Sequence, residues 1–121
     1  MVSALVRERF LRDPLPIRLG GLAADLARIA SFSENPANRR AVASLLEEGK
    51  YFAEWIAPDA PLDTQAALAE LQILLAVWER SWLRGTPVAT MRAEAEQKSD
   101  ECLAFAGLIQ KANSQEVTGD R

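Results

Sequence analysis

Carboxylates are the only side chains in this sequence that could carry acid–base or metal chemistry, because it contains no histidine and a single cysteine, Cys102. That composition excludes a disulfide within the chain, a zinc site of Cys and His ligands, a Ser-His-Asp triad and a Cys-His nucleophile pair. Nine of the seventeen acids fall in three groups: Glu47, Glu48 and Glu54; Glu70 and Glu79; Glu94, Glu96, Asp100 and Glu101. A helical di-iron centre needs Glu-x-x-His pairs facing inward, and without histidine it cannot be built. Glu70 lies beside Leu68 and Leu71, and Asp25 beside Leu26, at spacings that predict outward faces for both acids. No catalytic residue, metal ligand or cofactor site is therefore expected, and the chain reads as a non-enzyme.

The aromatic residues are the stronger candidates for a binding role. Tyr51 and Trp55 are four apart, as are Trp78 and Trp82, so each pair shares one face of a helix. One reading packs them in an internal aromatic layer. The other uses Tyr51, Trp55 and Trp82 as an interaction surface, since aromatic side chains dominate the energetics of protein interfaces. A third lets Trp78, Trp82, Tyr51 and Phe52 line an apolar cavity that binds a small molecule or pigment.

The elements that carry these residues follow from apolar spacing. Leu15, Leu19, Leu22, Leu26 and Ile29 recur at 4, 3, 4, 3, and Leu68, Leu71, Leu75, Trp78 and Trp82 at 3, 4, 3, 4. Val42, Leu45, Leu46, Gly49, Phe52, Ala53 and Ile56 make another stripe, and Val88, Met91, Ala95, Cys102, Phe105, Ala106 and Ile109 a fourth. This is helical periodicity, and no stretch alternates with the period of a strand. Pro in a first turn marks helix starts at Asp13-Pro14, Asn35-Pro36 and Thr86-Pro87; Asp63 is a cap for the third helix, and Gly85 a stop after it. The resulting expectation is an all-α, antiparallel bundle of about four helices over 15–31, 36–57, 63–84 and 87–112, with a short extra helix near 2–11. Residues 1–112 then form one domain, and 113–121 a frayed tail.

Two local features qualify this plan. Gly20-Gly21 falls inside the first long helix, where each glycine costs about 0.5–1 kcal/mol against alanine, so a close approach by a neighbouring helix is expected there. The third long helix carries Ile73, Leu74, Ala76 and Val77 beyond its main stripe and is apolar nearly all round. Such a helix is either central or covered by another chain, which makes self-association, a homodimer included, or a protein partner the expected mode of action.

Charge adds little. The chain is 49% apolar and 26% charged, with a net charge of -3. Residues 1–40 hold seven basic and four acidic groups, and residues 41–121 seven basic and thirteen acidic. Arg7, Arg9, Arg12 and Arg18 would suit a basic amphipathic helix, but they are interrupted by Glu8 and Asp13. Neither nucleic acid nor a membrane is expected as a partner. The longest apolar stretch, Ile73 to Trp78, is far below the roughly 20 residues that span a bilayer, and a cytoplasmic location is expected.

The runs Leu15-Pro16-Ile17-Arg18-Leu19-Gly20-Gly21-Leu22-Ala23-Ala24-Asp25-Leu26-Ala27-Arg28-Ile29 and Tyr51-Phe52-Ala53-Glu54-Trp55-Ile56-Ala57-Pro58, together with Ser31-Phe32-Ser33 and Asn38, resemble small helical proteins of unknown function from cyanobacteria. The resemblance covers residues 12–85. It implies a cytosolic bacterial protein and brings no activity, ligand or site residue.

Overall fold

Local signals set most of the helix ends. In the computed structural model, which describes residues 3–108, Ser3 caps α1 (Ala4–Arg12) by accepting the Val6 N–H at 3.2 Å. Pro14 closes α1 and precedes α2 (Leu15–Phe32), with Pro16 in its first turn, where the missing N–H costs no helical bond. Asn35 accepts the Ala37 N–H at 3.0 Å, but Pro36 opens a 3-10 turn, Pro36–Asn38, and α3 (Arg39–Ile56) starts after it.

A second 3-10 turn, Ala57–Asp59, leads to α4 (Leu62–Leu83). Its cap position is Pro61; Asp63, the expected cap, stands in the first turn and accepts the N–H of Thr64 at 2.8 Å. Gly85 ends α4 as expected. It adopts φ 79°, the Gly85 N–H bonds to Trp82 O at 3.0 Å and the Thr86 N–H to Ser81 O at 3.0 Å, a Schellman stop.

The fifth helix departs most from expectation. Thr86-Pro87 does not start it. Val88 packs against the core instead, its carbonyl accepts the Met91 N–H at 3.1 Å, and α5 runs Met91–Phe105. It does not continue through 106–108, because Gly107 takes φ 77° and repeats the Schellman pattern: the Leu108 N–H bonds to Leu103 O at 2.9 Å. The expected continuation over 109–112 and the expected tail over 113–121 lie outside the described residues.

Five α-helices and no strand are present among the described residues, and they share one apolar core. Helix α2 packs between α3 and α5, α4 packs mainly on α3, and α1 touches chiefly α3. Leu19, Leu22, Leu26 and Ile29 from α2 meet Val42, Leu46 and Ile56 from α3, Leu75 and Trp78 from α4, and Met91, Ala95 and Cys102 from α5. Each large side chain buried this way contributes about 1.5–3 kcal/mol before entropy is counted. Gly49 lets α3 and α4 close up: the Leu75 methyls lie 3.5 Å from the place its Cβ would occupy. Polar ties cross the same seams. Ser99 Oγ donates to Ala23 O at 2.8 Å, Arg92 Nε to Ala30 O at 3.3 Å, and Trp82 Nε1 to Arg39 O at 3.0 Å.

Candidate functional site

The aromatic residues divide between the two ends of α3. Phe52 stacks on Phe10 with ring centroids 4.1 Å apart, and Trp55 is 5.8 Å from Phe10 and 5.6 Å from Tyr51. This cluster fastens α1 to α3. Trp55 is 8% exposed, and Tyr51 and Phe52 are half-buried. Trp82 stands elsewhere: its indole N–H is bound to Arg39 at the start of α3, sixteen residues before Trp55. At 1.5 Å per residue that is about 24 Å along the helix. Tyr51, Trp55 and Trp82 therefore do not form one surface. Trp82 is 6% exposed, with its polar edge satisfied by a backbone carbonyl.

The same separation removes the expected four-residue cavity. Trp78 is fully buried, while Tyr51 and Phe52 side with Phe10. What flanks Trp82 is a pair of open grooves. One, of about 210 Å³, is bordered by Ser33, Pro36, Arg39, Gly85 and Pro87; the other, of about 220 Å³, by Val88, Met91 and Arg92. The cations there are engaged, since Arg39 Nη2 donates to Leu83 O at 3.2 Å and Arg92 pairs with Glu34 at 3.2 Å.

The acidic residues likewise disperse. Glu70 points outward as expected and pairs with Lys98 at 3.1 Å, and Glu79 pairs with Lys50. Lys98, mostly buried, also meets Glu101 at 3.4 Å; these two acids raise its pKa against the opposing effect of its burial. No group of three or more His, Cys, Asp or Glu side chains is arranged to hold a metal among the described residues. The Cys102 thiol is pushed up to about 12, first by burial and then by Glu101, so it is a packing residue and a poor nucleophile.

Asp25 is the exception to the outward-facing pattern. It is 2% exposed, because α3 and α5 cover two sides of α2, and its Oδ2 has no hydrogen-bond partner. Arg28 stands 3.5 Å from Oδ1. Burial, then the neighbouring Glu48 carboxyl, lifts Asp25 to about 8 against the pull of Arg28. Arg18, on the same side of α2, is also buried, donating to Asp59 at 2.9 Å and to Asp13 O at 2.9 Å.

The largest departure from a solvated surface is on α4. Among the described residues eight large apolar side chains are exposed, and four of them, Leu62, Ile73, Val77 and Leu83, stand on this helix. Ile73 is 66% exposed and Leu62 81%. Ala66, Ala69 and Ala76 are exposed between them. Ile73, Leu74, Ala76 and Val77 carried the sequence signal; Leu74 packs against the core, while the other three are exposed, and the signal did not show that these form a face of their own, opposite the core stripe.

These features define an all-helical protein with no helix long and apolar enough to cross a membrane among the described residues, and with one uncovered apolar helix face. No protein-family model matches the chain, and no curated protein or solved structure is significantly similar to it.

Proposed function

We propose that this protein is a non-enzymatic interaction module that binds another protein through the outer face of α4. One observation carries the reading: Leu62, Ile73, Val77 and Leu83 gather on a single helix and stand in water. Scattered exposed leucines are ordinary, but a contiguous apolar face on a soluble domain marks a docking surface. The lack of histidine and the buried, unreactive thiol of Cys102 support a non-catalytic role. The small-ligand alternative has less support, because the grooves beside Trp82 are open and the other aromatics lie away from them.

We read the helices as an antiparallel bundle. Two helix pairs support that reading, since within each one number falls as the other rises: Ala23 with Ser99 and Ala30 with Arg92 between α2 and α5, and Arg39 with Trp82 and Gly49 with Leu75 between α3 and α4. A cytosolic bacterial setting, implied by the resemblance of residues 12–85, belongs to the same proposal.

A photo-crosslinking side chain at Ile73, compared with one at exposed Ala41 on α3, tests the docking role in the cells that make the protein. Protein adducts are expected from position 73 and not from position 41. Absence of adducts from 73, or equal labelling from both, overturns it.

A further inference from the structure

Resting on the docking role proposed above, we infer that the occupant of the α4 outer face is α4 of a second copy of this chain, packed antiparallel about a two-fold axis. The spacing is that of a helix–helix seam. Leu62, Ala66, Ala69, Ile73, Ala76, Arg80 and Leu83 recur at 4, 3, 4, 3, 4, 3, and all seven are exposed. Alternating threes and fours keep one row of side chains facing a partner helix along the whole length. The buried row of α4, Thr64, Leu68, Leu71, Leu75, Trp78 and Trp82, has the same rhythm and already faces a neighbour. Helix α4 thus carries two seams on opposite sides, and the fold uses one.

Charge selects both the partner and its direction. The exposed acids beside the outer seam, Asp63 and Glu70, lie in the N-terminal half of α4, and the bases Arg80 and Arg84 in its C-terminal half and at its C-cap; Glu79, on the other flank of the seam, is partly buried and held by Lys50 of α3. With Ile73 set opposite Ala76 of the second copy, antiparallel pairing brings Asp63 within two residues, about 3 Å along the axis, of Arg84 of the other chain, and Glu70 within one residue of Arg80 of the other chain. Symmetry makes each contact twice. Glu70 is 65% exposed even while held by Lys98, which leaves room for a second donor. A parallel arrangement would place Arg80 on Arg80 in the seam, two like charges in contact. An isologous pairing also closes on itself, so it ends at a dimer.

The chain beyond Leu108 is a poor competitor for this face. It offers Ile109, Ala112 and Val117 as its only apolar residues, and Leu108 sits against Gly20 of α2. A helix of 22 residues is about 33 Å long, so a strip about 10 Å wide covers roughly 300–400 Å² per copy. That is about half of a standard interface and predicts a weak, concentration-dependent dimer.

Sedimentation velocity of the full chain, from about 10 µM to about 1 mM, tests this in the range where such interfaces dissociate. The wild type is expected to move from monomer to dimer. Ile73→Glu is expected to weaken the dimer at least tenfold with its helical circular dichroism and melting unchanged; Ala76→Glu, at a position that adds nothing to the core, should do the same. Asp63→Arg or Arg84→Asp alone should weaken it several-fold, and the double variant should restore it. A wild type that stays monomeric throughout overturns the second copy as occupant, while the crosslinking from Ile73 judges the docking role separately. A dimer indifferent to both Glu variants overturns the seam. A dimer that the double charge swap fails to restore overturns the antiparallel register.

Discussion

Helix α2 buries Arg18 and Asp25, whereas α4 leaves Leu62, Ile73, Val77 and Leu83 in water. Both helices have apolar stripes of similar rhythm, and each departs from apolar-inside, polar-outside packing in the opposite sense. The cause is position. Helix α2 has α3 on one side, α5 on the other and Phe10 of α1 above Gly21, so its polar residues are covered along with its leucines. Helix α4 lies at the edge, with α3 as its main neighbour, so the apolar residues of its outer side are uncovered. Which face of a helix is buried is decided by how many neighbours it has, and amphipathicity alone does not report that.

The sharpest test of the comparison puts one charge on each seam of α4. Leu71→Glu places a carboxylate at a position 2% exposed, and Ile73→Glu at one 66% exposed. Truncating a buried leucine costs about 2–5 kcal/mol, and a buried unpaired charge adds to that, which approaches the whole stability of a domain this size. Leu71→Glu is expected to abolish the cooperative melt followed by circular dichroism, and Ile73→Glu to leave it within about 0.5 kcal/mol of wild type. If both variants melt alike, the division into inner and outer seams is wrong.

The next effect belongs to the covered side of α2. Asp25 has a folded pKa of about 8 against 3.8 for an ordinary aspartate. The folded state therefore holds this proton more tightly than the unfolded state, and stability contributed by the protonated acid is full below about pH 4 and lost as pH rises through 8. Arg28 and Glu48 act on the same carboxyl in opposite directions. Asp25→Asn is expected to remove this slope and to melt higher than wild type at pH 8.5, by an amount on the order of a few kcal/mol, with a smaller difference at pH 5. Equal slopes for the two proteins in thermal melts across that range would show that Asp25 is solvated and ionised like an ordinary surface acid.

Much of the fold was legible where the signal is local. The stripes of α2, α3 and α4, the fully buried set from Leu19 to Trp78 and the stop at Gly85 all follow from spacing and residue type. What escaped depends on tertiary neighbours. Thr86-Pro87 has the chemistry of a helix start, but burying Val88 overrides it and delays α5 to Met91. Gly107 is a stop with the same conformation as Gly85, hidden because apolar spacing runs on through Ile109. Asp25 sits at an outward-looking spacing that only the covering helices turn inward. Trp82 has the composition of an interface anchor, yet its N–H is already used on Arg39 O. The outer seam was half legible: Ile73, Ala76 and Val77 reveal excess apolar surface, but separating two seams requires knowing which one α3 occupies.

The smallest expected effect asks how firmly α1 covers α2. At Gly21 an added Cβ would lie 3.9 Å from Phe10 and 4.0 Å from Phe52, which is ordinary contact. Gly21 thus lies under aromatic side chains and its neighbour Gly20 under Leu108, and the space above Gly21 accepts a methyl group. Gly21→Ala removes backbone freedom from the unfolded chain without strain and is expected to raise stability by about 0.5–1 kcal/mol in chemical denaturation. Gly21→Leu has no such room. It must displace the Phe10 ring, and since α1 has no fully buried residue, that ring is its chief hold. The leucine variant is expected to free α1 while α2 to α5 stay folded, seen as faster amide hydrogen exchange confined to residues 4–12. Uniform exchange changes across all five helices would instead make α1 part of the cooperative core, and α2 would then be enclosed on three sides as firmly as α4 is open on one.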